Sequence, residues 1–141
     1  MADPYIFKCT IKRIVDGDTV DVDNINLGFG ITHRGDFGRG MRIRLYGIDA
    51  PESRLKRDNP EEKKYGLAAK KFVQDFIPVG STVILSTKSK GKYGRWLGDF
   101  NVGRKWLCKE LLAHHHAVEY TGQNKKLVAA SHLANRKLVK V

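Results

Sequence analysis

Two short acidic stretches carry the residue types that could do chemistry in this chain. One is Asp16-Gly17-Asp18-Thr19, set between the apolar runs Ile14-Val15 and Val20-Asp21-Val22; the other, Asp49-Ala50-Pro51-Glu52, follows Arg42-Ile43-Arg44-Leu45-Tyr46-Gly47-Ile48. Carboxylates gathered beside an arginine are the makings of a site that holds a hard divalent cation against a phosphate. Oxygen ligands suit the ion and a guanidinium suits the anion. Taken alone, Asp-Gly-Asp-Thr is the composition of an ordinary turn, and the second acidic stretch is what gives it weight. For chemistry the two stretches must meet, and pairing of consecutive strands would bring them together.

The elements around them read as follows. Met41, Ile43 and Leu45 alternate with Arg42, Arg44 and Tyr46, the period of a half-buried strand. Gly47 marks a bend and Pro51 ends the ladder, so Asp49 and Glu52 lie just past the strand, where a rigid element aims them. Upstream, residues 5–15 predict a first strand with Tyr5, Phe7, Cys9 and Ile11 on one face; Ile14 breaks the parity and implies a bulge. Val20 and Val22 begin a second strand with Asp21 and Asp23 outward. Residues 24–40 are glycine-rich and lack a period, which predicts a long inserted loop or an extended, twisted hairpin. Its Phe29, Phe37, His33, Arg34 and Arg39 either clamp a single nucleic-acid strand or pack back on the body of the protein.

Downstream, Pro60 opens a helix whose apolar face is Tyr65, Ala68, Ala69, Phe72, Val73, Phe76 and Ile77, closed by Pro78 and Gly80. Residues 81–87 and 95–102 are strands. Trp106, Leu107, Leu111 and Leu112 indicate a short helix, and Leu127, Ala130, Ala134 and Leu138 a third helical stripe within 124–138. This order predicts a mainly β fold: a five-stranded Greek-key barrel of the OB type with about three helices, a single domain over residues 1–141.

The composition agrees with such a reading. A chain of 141 residues with 41% apolar and 29% charged residues can bury a core. Its net charge of +11, from 26 Lys+Arg against 15 Asp+Glu, favours a polyanionic partner, most commonly nucleic acid. No run reaches membrane-spanning length and the start of the chain does not read as a signal peptide, so a cytoplasmic monomer without a membrane partner is expected. Two cysteines, Cys9 and Cys108, do not make a disulfide framework. His114, His115 and His116 splay around a helix end and cannot all face one zinc ion.

Four motifs, Ile14-Val15-Asp16-Gly17-Asp18-Thr19-Val20, Arg44-Leu45-Tyr46-Gly47-Ile48-Asp49-Ala50-Pro51-Glu52, Lys64-Tyr65-Gly66 and Lys92-Tyr93-Gly94-Arg95, resemble in order and spacing those of the staphylococcal nuclease-like (thermonuclease) family. The likeness runs from about residue 8 to residue 135. It implies a calcium-dependent phosphodiesterase on an OB-type barrel that cleaves DNA and RNA to 3′-phosphate products. By that resemblance Asp18 and Asp49 are calcium carboxylates, the Ala50 carbonyl is a third ligand, and Asp16 is an outer acid that orients water at the ion. Glu52 matches the general base, Arg44 and Arg95 the pair that grips the scissile phosphate, and Lys92, Tyr93 and Tyr120 substrate-contacting positions. The chain departs from many relatives in having Ala50 for threonine, Val118 for a second tyrosine and a longer 24–40 segment. A second class of function is a noncatalytic, single-strand-binding OB module; the retained set Asp18, Arg44, Asp49, Glu52 and Arg95 favours the enzyme.

Overall fold

The longest strand, β1 (Tyr5–Asp16), is the seam of the structure. In the computed structural model, which describes residues 5–34, 40–57, 59–90 and 95–139, its first half pairs antiparallel with β7 (Thr82–Lys90), Phe7 opposite Leu85. Its second half pairs antiparallel with β2 (Thr19–Asp23). Within this second pairing the register slips, once after Ile11 and again after Ile14. The slip lets Cys9, Ile11 and Ile14 all enter the core despite their broken parity, as the bulge expected at Ile14 requires.

From β2 the sheet continues antiparallel to β5 (Met41–Leu45), with Val20 opposite Ile43. β5 then lies parallel to β8 (Trp96–Val102), Ile43 beside Trp96, and β8 returns antiparallel to β7. The β5–β8 pairing closes a five-stranded barrel from the strands expected in the sequence. Its interior is filled by Ile11, Val20, Val22, Ile43, Leu45, Leu85 and Phe100, all essentially buried.

Helix α1 (Glu62–Phe76) covers one end of the barrel with Ala69 and Val73, and Ile77 just beyond it; Phe72 and Phe76 stack on each other at 6.4 Å. α2 (Leu107–Ala113) buries Leu107, Cys108 and Leu111, and Asp99 caps it by accepting from the Cys108 N–H at 3.0 Å. Both cysteines are buried and free. His114 and His116 each pack against Phe72 with ring centroids 5.1 Å away.

The 24–40 segment takes the hairpin option as far as it is described: β3 (Ile25–Gly28) pairs with β4 (Ile31–His33), and Phe29 stands fully exposed at the tip with φ of 54°. Phe37 and Arg39 lie outside the described residues. Asp23, expected outward, is instead 9% exposed. It receives Nε and Nη2 of Arg34 at 3.3 and 3.2 Å, so an ion pair replaces water around it.

Three two-residue strands too short for a periodic signal complete the topology. β6 (Ile48–Asp49) pairs with β10 (Val118–Glu119), and β9 (Lys105–Trp106) folds back antiparallel on the end of β8. The last helix, α3 (Lys125–Arg136), corrects the sequence reading of its face. Leu127 and Leu138 are 62% and 61% exposed, with Ala130 and Ala134 also outward. The face turned to the protein carries Val128, His132, Asn135 and Arg136, spaced i, i+4, i+7 and i+8. Arg136 also sits over the Tyr65 ring at 5.1 Å. Polar contacts rather than aliphatic burial fasten this helix. Among the described residues no helix is long and apolar enough to cross a membrane.

Candidate active site

The pairing of β2 with β5 puts Thr19 opposite Arg44, so the loop before β2 and the loop after β5 leave the same end of the barrel. Carboxylates then stitch the two loops together. Asp18 Oδ2 accepts from the Ala50 N–H at 3.0 Å, and the Asp18 carbonyl accepts from the Leu45 N–H at 2.8 Å. Asp16 Oδ1 accepts from the Ser53 N–H at 3.2 Å and from the Ser53 hydroxyl. Backbone donors aimed at side-chain carboxylates make this junction rigid as well as charged.

Two glycines are required by the closeness of these layers. A Cβ on Gly17 would lie 2.7 Å from the Ala69 Cβ of α1 and 3.0 Å from the Ala50 Cβ. A Cβ on Gly66, inside α1, would lie 2.0 Å from the Glu52 carbonyl oxygen. The helix therefore presses directly on the backbone of the loop that carries Glu52, and glycine is what lets it come that near.

Asp18 and Asp49 converge on Arg44. Nη1 of the guanidinium is 3.1 Å from Asp18 Oδ2, and Nη2 is 3.2 Å from Asp49 Oδ1. Asp18 is 8% exposed. Burial pushes its carboxyl above the ordinary carboxylate range and neighbouring Asp49 adds to the rise, while Arg44, the Ala50 N–H and the Thr19 hydroxyl act against it. Two carboxylates share one guanidinium, so with both ionised one negative charge is left over between a buried Asp18 and a partly exposed Asp49.

That residual charge, with donors that are all oxygen, suits a hard divalent cation. Among the described residues no three His, Cys, Asp or Glu side chains gather to hold a metal. An ion here would rest on Asp18 and Asp49 and draw its remaining ligands from backbone, solvent or substrate, as calcium with its variable coordination readily does.

Of the other expected residues, Glu52 stands near the junction but faces outward, its side chain 37% exposed, with Arg54 at 2.9 Å and Lys56 at 3.4 Å on its two oxygens. Arg95 immediately precedes β8, alongside the strand that carries Arg44, and is half-buried. Tyr120 is 41% exposed, and its N–H donates to the Gly47 carbonyl at 2.8 Å, which ties the chain after β10 to the β5–β6 bend. Lys92 and Tyr93 lie outside the described residues.

One residue escaped the sequence reading. His132 Nε2 lies 2.7 Å from Asp49 Oδ2, and the side chain is 12% exposed. The only local signal was its position opposite the leucine stripe of α3.

Comparisons with known proteins give the family. The sequence model described as Staphylococcal nuclease homologue matches residues 42–139. A Thermonuclease of Staphylococcus intermedius is 37% identical over 112 residues, covering 73% of this chain and 56% of that protein. A probable endonuclease of Yarrowia lipolytica is 33% identical over 87 residues, covering 59% of this chain and 37% of its own length. An uncharacterized endonuclease of Escherichia coli O157:H7 is 30% identical over 88 residues, covering 62% and 44%. The chain thus spans about half or less of the length of these relatives. With the matched region running from β5 through α3, across Arg44, Asp49, Glu52 and Arg95, the chain belongs to the staphylococcal nuclease homologue family.

Proposed function

We propose that this protein is a calcium-dependent nuclease that hydrolyses phosphodiester bonds of DNA, RNA or both and leaves 3′-phosphate ends. The observation that carries the reading is the convergence of Asp18 and Asp49 on Arg44 at one end of a basic barrel.

In this reaction water attacks phosphorus, the bond to the 5′ oxygen breaks, that oxygen takes up a proton from solvent and leaves as a hydroxyl, and the 3′ oxygen keeps the phosphate. Bound calcium would polarise the phosphoryl group and offset its charge. Arg44 begins on two carboxylates, and its planar fork can turn toward a phosphate oxygen without losing charge. Arg95, just ahead of the neighbouring strand, supplies the second guanidinium. Glu52 takes the proton of the attacking water. To do so it must release an oxygen from Arg54 or Lys56, both surface contacts of small individual worth. Asp16 is committed to Ser53 and holds the Glu52 loop in place. Lys92, Tyr93 and Tyr120 are proposed to contact the substrate beyond the scissile bond.

The test is digestion of plasmid DNA and of single-stranded RNA with calcium and with chelator, followed by analysis of product ends. Calcium-dependent cleavage whose products become extendable only after 3′-phosphatase treatment is the expected result. Tight binding without cleavage would instead establish the noncatalytic binding module.

A further inference from the structure

Asp49 can serve an ion only if its carboxylate keeps one orientation, and its own surroundings do little to ensure that. It sits in a two-residue strand with its side chain 31% exposed. Both of its oxygens are nevertheless held. Arg44 Nη2 takes Oδ1 at 3.2 Å, and His132 Nε2 meets Oδ2 at 2.7 Å. An ionised carboxylate only accepts, so Nε2 carries the proton and donates. The other ring nitrogen, Nδ1, is buried and has no hydrogen-bond partner among the described residues. The polar engagement of this ring with the described residues is therefore with Asp49.

The helix that delivers His132 is fixed to the same strand pair. Asn135 Nδ2 donates to the carbonyl of Ala117, which immediately precedes β10, and β10 pairs with β6 at Val118 and Asp49. Arg136 Nη2 donates to Asn59 Oδ1 at 3.1 Å. These contacts set where His132 stands relative to Asp49. An aliphatic side chain would close this half-buried spot at lower desolvation cost than a histidine with one bare nitrogen. The histidine is accounted for by what it does to Asp49.

We infer that His132 is a positioning residue, which aligns Asp49 for the divalent cation of the reading proposed above. Two donors on opposite oxygens restrict the carboxylate to one rotamer and leave each oxygen a lone pair for the ion. An imidazole N–H can do this without the fixed charge that a lysine or arginine would set against the cation. Outer partners of this kind tune metal affinity through the ligand they orient.

The experiment compares the full chain with His132→Leu, which keeps bulk on the inward face of α3 but cannot donate, and His132→Gln, whose amide N–H can still reach Asp49. Calcium affinity is measured by calorimetry without nucleic acid, cleavage is titrated against calcium, and melting is followed in chelator. For His132→Leu the expected result is a calcium Kd weakened roughly tenfold or more, with the half-saturating calcium for cleavage raised in step. Turnover at saturating calcium should change much less, and His132→Gln should recover part of the affinity. An unchanged calcium Kd in His132→Leu overturns the inference, and a lowered melting temperature with that Kd unchanged reduces His132 to an anchor of α3. A wild type that binds calcium but does not cleave would overturn the nuclease reading and leave the role of His132 standing. A wild type that neither binds nor requires calcium would overturn both.

Discussion

Gly66→Ala sets two effects of opposite sign against each other. Alanine in a helix interior is normally favoured over glycine by roughly 0.5–1 kcal/mol. Here the new Cβ would stand 2.0 Å from the Glu52 carbonyl oxygen, 2.2 Å from its carbonyl carbon and 2.6 Å from the Ser53 nitrogen. All three are backbone atoms, so no flexible side chain can step aside. Restoring ordinary contact requires α1 and the Glu52 loop to separate by more than about 1 Å, and overpacking of this kind costs typically 1–3 kcal/mol. The steric cost should win and leave a net destabilisation of about 1–2 kcal/mol. Activity should suffer more, because a displacement of about 1 Å at a catalytic group can cost on the order of a hundredfold in rate. Arg44 lies in β5 and is paired with β2 rather than packed on α1, so substrate affinity should fall much less than turnover. Urea unfolding gives the stability and single-turnover cleavage at saturating substrate gives the rate. A Gly66→Ala protein as stable as wild type and cutting at full rate would refute the close packing of α1 on the Glu52 loop. Leu67→Ala, one residue on and 45% exposed, is the control that should leave cleavage intact.

Further expectations can be checked alongside it. Glu52→Gln should keep the fold and lose a factor of about 10²–10⁴ in turnover; a variant cutting at the wild-type rate removes Glu52 as the base. Arg44→Lys loses the fork that spans Asp18 and Asp49 and should lower both cleavage and melting temperature; unchanged values of both would show that the fork is dispensable. Asp18→Asn keeps an acceptor for the Ala50 N–H while removing a charge that burial disfavours. The folded-state value of Asp18 is raised, so the folded protein holds this proton more tightly than the unfolded chain, and ionisation at neutral pH weakens the fold. In chelator Asp18→Asn should therefore melt at or above the wild-type temperature, and with calcium it should fail to cleave; a clear drop in melting temperature would contradict this. Burial pushes the Cys9 thiol up to about 12 and raises Cys108 as well. A disulfide reagent at pH 8 should modify neither until denaturant is added, and rapid reaction of the native protein would contradict their burial.

The barrel strands were legible because a strand records its own burial every second residue: Met41, Ile43 and Leu45 against Arg42 and Arg44 needed no knowledge of partners. Helix α1 was legible for the same reason at a different period. The acidic motifs were legible as composition, and strand pairing brought Asp18 and Asp49 together as their sequence context required. The hairpin of β3 and β4 was half legible, since glycines obscured its alternation. The strands β6, β9 and β10 were not, because two residues hold less than one full alternation.

What the chain alone determined, then, is local: which segments alternate, where they stop, and which acids stand at their ends. Tertiary structure decided the rest. It turned the leucines of α3 outward and its polar face inward, against the expectation that the apolar stripe is the buried one. It set His132 on Asp49 across 83 positions of chain and pressed Gly66 against the Glu52 backbone. The physical reason is that periodicity arises between neighbours in sequence, whereas a hydrogen bond or a steric limit between distant segments exists only once packing has fixed their separation.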